Sequence, residues 1–496
     1  MKLRSLFAAA VALVVLVACG GGPLASLDAS ISMDAGELAP ADGGALGLID
    51  VGGVGPDASE TPEDAAASAP DAALTPAIIF TVDEGGQARP VTSVVYSEPY
   101  DVRLQGFEPG EIIELQGRLW GYRSHAEFLV DSSGTVDLAR DAPLSGTYQG
   151  IDADGLVWSM VKESDQTGNT FDVTYAALRR GVEVATARIE RKPMGSDATF
   201  VSLSAHGLRG TLMVPAGGGR HPALLVLGGS EGGTPLFEAA YFEKMGYATL
   251  ALAYFGTSGL PSQLTDIPLE YFDRAIDWLR ARSEIDPERI GVAGGSRGGE
   301  LALILSARNP HLKATVALVP SGLVMGSASQ ANLAAWTSGE VAIPYFGFAS
   351  GAWPVRETLP NGETGYRFSP VTEADLDAAP PQEIDAARIP VEMAKGPILL
   401  LAGEDDGLWP SCRLSKYAWD TLLASQHADS FADGYECFPQ AGHLFAFPGW
   451  PTTESYATQA GDGTWLVAGG TASGNGRAGR LSDTRIRAFL ATALGK

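Results

Sequence analysis

The chain has 496 residues, 45% of them hydrophobic, and a formal net charge of -25 from 34 basic and 59 acidic side chains. That length allows two or three domains with sizeable cores, and nothing in the chain suggests a nucleic-acid partner. The histidines are scattered without a ligand pair at helical or hairpin spacing, and no GxxxxGK[ST] loop occurs, so neither a metal nor a nucleotide cofactor is expected.

The first residues, Met1-Lys2-Leu3-Arg4, precede an apolar run over 6–17 and then Leu16-Val17-Ala18-Cys19. Two positive charges, a short apolar core and a small residue before the break describe a secretory signal over 1–18, too short for a stable membrane span. Cys19 directly after Leu-Val-Ala resembles the bacterial lipobox, whose cysteine is lipidated and becomes the mature N-terminus. Gly20 matches the pattern sent to the outer membrane rather than the Asp that retains a lipoprotein on the inner one. The expectation is an exported, membrane-anchored lipoprotein. Residues 19–75 are rich in Ala, Gly, Pro, Asp and Ser. They cannot bury enough apolar surface to offset their ordering entropy, so they read as a disordered acidic tether that supplies much of the net charge.

Over 76–193 short alternating segments are separated by turn residues, for example 91–96, 101–104, 112–115, 171–175 and 182–185. This spacing predicts a small all-β, immunoglobulin-like sandwich. Over 194–496 the period changes. Apolar strands at 200–203, 208–214, 223–227, 248–253, 290–293, 314–318, 398–401 and 435–438 alternate with helical stretches such as 235–245 and 269–282. In the second helix Phe272, Ile276 and Leu279 share one face. This pattern predicts a mainly parallel sheet with helices on both faces. Between 321 and 394 the period is lost, and an insertion there would lie over the strand ends as a lid or part of a pocket.

Strand 290–293 runs into Gly294-Gly295-Ser296-Arg297-Gly298 and then a helix-forming run, which is the G-x-S-x-G elbow in its strand-to-helix context. Ser296 must sit on a sharp, strained turn, and bulky residues two positions either side would collide with the neighbouring elements. A nucleophilic serine needs a base, an orienting acid and oxyanion donors. The strand at 398–401 ends in Ala402-Gly403-Glu404-Asp405-Asp406-Gly407-Leu408-Trp409-Pro410, and the next ends in Gly442-His443. His443 is the expected base, and His427, after a helical run, is expected to face solvent. Asp406 is the preferred acid, with Asp405 as a loop or helix cap and Glu404 third. The oxyanion donors are expected to be the N–H of Arg297 and one from Gly228-Gly229-Ser230-Glu231-Gly232-Gly233, with Glu231 preferred over Ser230. Cys412 and Cys437 could pair in an oxidising compartment, although two buried free thiols would read the same.

With these residues in place the chain resembles the acyl-CoA thioesterase and bile acid-CoA:amino acid N-acyltransferase family over nearly everything after the tether. The sandwich carries the resemblance in Ala126-Glu127-Phe128-Leu129-Val130-Asp131, Gly146-Thr147-Tyr148 and Gly155-Leu156-Val157-Trp158. The later part carries it in Leu250-Ala251-Leu252-Ala253-Tyr254-Phe255, in the 396–411 segment and in Gly442-His443. The resemblance implies a β-sandwich followed by an α/β-hydrolase domain that uses a nucleophile–Asp–His triad on acyl thioesters, with Asp406 and His443 in the family's acid and base positions. Conjugating members of the family use cysteine as nucleophile. Serine here favours hydrolysis, with coenzyme A as a portion of the substrate. Two alternatives stand beside this reading: a carboxylesterase or peptidase-like hydrolase of an extracytoplasmic ester or amide, and a catalytically inactive surface binding module.

Overall fold

The computed structural model describes residues 75–495, except 97, 169, 193–196, 328–332, 348–350 and 446. The expected signal segment, Cys19 and nearly all of the acidic tether lie outside the described residues. Among the described residues, no helix is long and apolar enough to cross a membrane.

The alternating segments pair as two β-sheets. One is built from Gln87–Val91, Ala77–Glu84, Asp101–Gln105 and Val136–Asp137, in that order. The other is centred on Val173–Arg179, flanked by Val182–Lys192 and Ile112–Leu119, with Tyr122–Leu129 beyond. The two-residue period sets the inward face. Ile78, Phe80 and Val82 alternate with more exposed neighbours and share a core with Leu115, Phe128, Tyr175 and Ile189 of the facing sheet.

The larger sheet holds eight strands: β1 (Thr199–Leu203), β2 (Arg209–Val214), β3 (His221–Leu227), β4 (Ala248–Ala253), β5 (Ile285–Gly295), β6 (Leu312–Leu318), β7 (Ile398–Gly403) and β8 (Gly434–Phe438). Their order is β1-β2-β4-β3-β5-β6-β7-β8, parallel from β4 onward and antiparallel at β1-β2 and β2-β4. All six residues of β4 are buried, as a strand covered on both faces requires. The covering helices include α1 (Leu236–Lys244), α2 (Glu270–Arg280), α3 (Arg297–Arg308), α4 (Ser411–Ala424) and α5 (Ala472–Leu494). In α2 the buried residues are Tyr271, Phe272, Ala275, Ile276 and Leu279, the stripe expected from helical spacing. The protein is thus an α/β-hydrolase fold preceded by a β-sandwich.

The segment between β6 and β7 contains short strands, Trp336–Ser338 and Thr364–Arg367 among them, and two short helices, Ser369–Ala378 and Pro381–Ala387. It packs behind the strand ends. Trp336 Nε1 donates to Glu300 Oε1 at 2.8 Å, and Arg297 Nη2 donates to the Met325 carbonyl at 2.9 Å. Further along, Phe368 N–H donates to the Gly407 carbonyl at 2.8 Å and Arg367 reaches Asp405 at 2.9 Å. The insertion therefore braces the start of α3 and the loop after β7.

Candidate active site

Ser296 joins β5 to α3 with φ 56° and ψ -122°, a left-handed conformation that costs a non-glycine residue about 1–3 kcal/mol. The flanking glycines make this turn sterically feasible. A Cβ on Gly294 would lie 2.3 Å from the Gly298 carbonyl oxygen, and one on Gly298 would lie 2.4 Å from that of Gly228. Ser296 N–H donates to the Leu318 carbonyl at 2.8 Å, which ties the turn to β6. Arg297 is the first residue of α3, so its N–H has no partner within the helix and lies at the positive end of the helix dipole.

The loop after β7 presents Asp406, 3% exposed, and the loop after β8 presents His443, 5% exposed. Asp406 Oδ2 lies 2.7 Å from His443 Nδ1. Its other oxygen accepts N–H bonds from Leu408 at 3.0 Å and Trp409 at 3.2 Å, so the carboxylate is held at both ends. His443 N–H donates to the Ala468 carbonyl at 2.8 Å, and Gly442 N–H donates to Asn475 Oδ1 at 2.7 Å. The imidazole is therefore fixed through its backbone and through Nδ1. Its Nε2 is buried with no hydrogen-bond partner among the described residues.

The neighbouring acids have other work. Asp405 bonds Arg367 at 2.9 Å and accepts the Gly470 N–H at 2.9 Å, while Glu404 accepts the Gln440 N–H at 3.3 Å. His427, expected at the surface, is instead 6% exposed. Its Nδ1 lies 2.7 Å from Asp433 Oδ2 and its Nε2 lies 3.2 Å from the Ala394 carbonyl. Asp433 also accepts the Ile398 N–H at 2.9 Å, so His427 pins the end of α4 to the start of β7, and that polar pairing is what draws the ring inside.

Ser296 and His443 line a cavity of about 180 Å³. Glu231 lines it as well, and its carboxylate accepts the Gly229 N–H at 2.6 Å. Tyr254 Oη holds the same loop by donating to the Gly228 carbonyl at 2.6 Å. Ser230 is buried and outside the lining. Burial raises the Glu231 carboxyl above its ordinary range, against the pull of the loop N–H groups and of His443. Burial and the nearby Glu231 together raise Glu238, in the first turn of α1, to about 7.

Several wall residues escaped sequence reasoning. No described residue of 321–394 lines the cavity, contrary to the pocket expected from that insertion. The wall is supplied by Tyr96 and Tyr122 of the sandwich and by the segment after His443, including Phe445, Phe447, Trp450 and Glu454. The sandwich holds that segment in place. Tyr122 Oη donates to Glu454, Thr453 Oγ1 donates to the Met160 carbonyl at 2.6 Å, and the buried Arg191 donates to the carbonyls of Tyr96 and Gly449. The aromatic run Leu444-Phe445-Ala446-Phe447 beside the base was the available signal. Val319 is a further lining residue, held at φ 42° directly after β6, a strained conformation for a β-branched side chain. Cys412 at the start of α4 and Cys437 in β8 are joined by a disulfide. Among the described residues no group of three His, Cys, Asp or Glu side chains is placed to hold a metal ion.

Comparison with known proteins matches residues 97–203 to the acyl-CoA thioester hydrolase/BAAT N-terminal region and residues 267–496 to the BAAT/acyl-CoA thioester hydrolase C-terminal region. Mouse acyl-coenzyme A thioesterase 6 is 28% identical over 379 residues, covering 72% of this chain and 84% of the relative. Mouse acyl-coenzyme A amino acid N-acyltransferase 1 is also 28% identical over 379 residues, covering 72% of this chain and 85% of its own length. Among solved structures, an esterase from the bacterial hormone-sensitive lipase family aligns with a TM-score of 0.36 at 16% identity, covering 61% of this chain and 87% of the other. Both regional matches fall on one chain in order, the first on the sandwich and the second on the part that bears Ser296, Asp406 and His443, and the chain belongs to the acyl-CoA thioester hydrolase/BAAT family.

Proposed function

We propose that the protein hydrolyses acyl thioesters and related esters through an acyl-serine intermediate on Ser296. One observation carries the reading: the buried Asp406–His443 pair leaves its remaining ring nitrogen unpartnered at a cavity that Ser296 also lines. His443 Nε2 takes the Ser296 hydroxyl proton as Oγ bonds to the acyl carbon, and Asp406 holds the ring and the charge that forms on it. The Arg297 N–H and an N–H of the Gly228–Gly233 loop, Glu231 in our assignment, hold the resulting oxyanion. A carboxylate oxygen of Glu231 rests on the Gly229 N–H, which is the kind of contact an oxyanion makes. Collapse breaks the bond to sulfur or oxygen, and the leaving thiol or alcohol takes the proton from His443. Water, deprotonated by His443, then cleaves the acyl-serine ester, releases the acid and restores Ser296.

A fluorophosphonate probe on the full chain, together with assays on matched acyl-CoA thioesters and p-nitrophenyl esters, tests the mechanism. We expect Ser296→Ala to abolish labelling and to lower turnover by roughly a thousandfold or more. Retained turnover in that variant would refute the mechanism. A second reading, that the natural substrate is an ester other than a CoA thioester, is favoured by the charge of the cavity. Its lining includes Glu231, Glu238 and Glu454 and, among the described residues, no lysine or arginine, unlike a site built for a multiply phosphorylated carrier. A preference for the simple esters would select it.

The N-terminal pattern supports lipid anchoring of an exported chain through Cys19, with the outer membrane as destination. Fractionation of cells expressing Cys19→Ala is expected to move the protein from membranes to the soluble exported fraction. An unchanged membrane signal would argue for a different attachment.

A further inference from the structure

The cavity beside Ser296 has a chemical character that hydrolysis alone does not require. Glu231, Glu238 and Glu454 line it, and among the described residues no lysine or arginine does. Glu454 is engaged by Tyr122 and Glu231 by the Gly229 N–H, whereas Glu238 has no hydrogen bond or ion pair to another side chain among the described residues. Burial raises its carboxyl to about 7, and the charge of nearby Glu231 adds to the rise. The carboxyls are not placed as a metal site, since no such cluster occurs among the described residues.

One part of the remaining wall is aromatic. Tyr96, Phe237, Phe447 and Trp450 form a continuous set, with ring centroids 6.0 Å apart for Tyr96–Phe237, 5.2 Å for Phe237–Phe447 and 6.3 Å for Tyr96–Trp450. The Arg191 guanidinium stacks on Tyr96, 4.6 Å from the ring centroid, while Phe237 and Trp450 line the cavity without a cation against them among the described residues. Aromatic faces beside a carboxylate that no other side chain engages are the environment in which a weakly hydrated organic cation is held. The volume of about 180 Å³ suits a compact head group, given that a cavity of about 150 Å³ accepts benzene. His443 Nε2, buried and unpartnered, gives the same cavity a second polar group awaiting a ligand.

We propose that this cavity receives an ammonium group, held by Glu238 with Glu231 and by the faces of Phe237 and Trp450, so that the substrates are acyl esters or thioesters bearing a positively charged nitrogen. The word substrate here rests on the hydrolase reading; the binding site does not. The cation is bound as a spectator and takes no part in bond making.

Calorimetry on the full chain compares choline with neohexyl alcohol, its uncharged isostere in which carbon replaces nitrogen. Kinetics then compare butyrylthiocholine with neohexyl thiobutyrate. We expect the charged member of each pair to be favoured roughly tenfold or more, and Glu238→Gln to bring the pair to within roughly twofold. Equal or tighter binding of the isostere, binding of neither, or a charge preference that survives both Glu238→Gln and Glu231→Gln would overturn the proposal. Should Glu238→Gln fail to fold, the wild-type ratio decides. Charge-selective binding of choline without turnover of either thioester would remove the hydrolase reading and keep the site. Equal turnover of both thioesters, lost in Ser296→Ala, would keep the hydrolase and remove the site.

Discussion

Glu300 lies in the first turn after Ser296 with no exposure, 2.9 Å from Arg297 Nη1 and accepting N–H bonds from Met325 and Trp336. Burial raises its carboxyl from 4.5 to about 7, although Arg297 and the donated bonds pull the other way. A native pKa above the unfolded one means that the folded chain holds a proton that the unfolded chain releases. Stability from this site is therefore fully present below pH 4.5 and declines as pH rises towards and through 7. Glu300→Gln keeps an acceptor and removes the titration. Urea unfolding at pH 5 and pH 8 should show the variant gaining on the wild type by an order of 2–3 kcal/mol over that interval. A difference independent of pH would mean that Glu300 stays ionised against Arg297 throughout. At the same scale, Asp405 and Asp406 are adjacent yet divided in role, because only one of two successive side chains on the turn can face the histidine. That division was legible in sequence, since Gly407-Leu408-Trp409-Pro410 sets the turn locally and the Leu408 and Trp409 amides close on Asp406. The burial of His427 was not legible, because its partners, Asp433 and Ala394, come from beyond its own helix.

Elements carry the site on three separate supports: the elbow on β5 and α3, the acid loop between β7 and α4, and the base loop after β8. The Cys412–Cys437 disulfide crosses two of them, joining the start of α4 to β8 across 25 residues of sequence. Closing a loop of that length removes enough unfolded-state freedom to stabilise the fold by about 3.5 kcal/mol in the chain-entropy model. Cys437→Ser paired with Cys412→Ser should lower the urea midpoint accordingly, and reductant should do the same to the wild type and nothing to the double variant. Equal stability of both chains under oxidising conditions would contradict this. The mainly parallel sheet was accessible from alternating periodicity because it needs apolar strands and amphipathic covers, whereas the order of its strands was not. Nor was the role of the insertion. Its contacts with Arg297, Glu300 and Asp405 join segments far apart in sequence, for which no local pattern exists, and the expectation of a lid came from chain position alone.

The whole molecule depends on the sandwich for one side of the cavity. Arg191, 2% exposed, donates to the Tyr96 carbonyl at 3.0 Å and to that of Gly449, so one guanidinium holds the two halves of the wall together. Arg191→Leu removes charged hydrogen bonds worth about 2–3 kcal/mol and leaves both carbonyls unpaired. Calorimetry is expected to resolve two unfolding transitions where the wild type has one, and KM to rise more than kcat falls. A single transition with unchanged KM would mean that the sandwich docks without this contact.

On the proposed mechanism, this shared wall separates what the protein does to a molecule from how it recognises one. Ser296, Asp406 and His443 all belong to the later part of the chain, whereas Tyr96 and Tyr122 are borrowed from the earlier part. Selection acting on the sandwich could therefore retune diet while the reaction stayed the same. In the laboratory, a chimera that exchanges residues 76–193 for the corresponding region of a relative would transplant preference without transplanting chemistry.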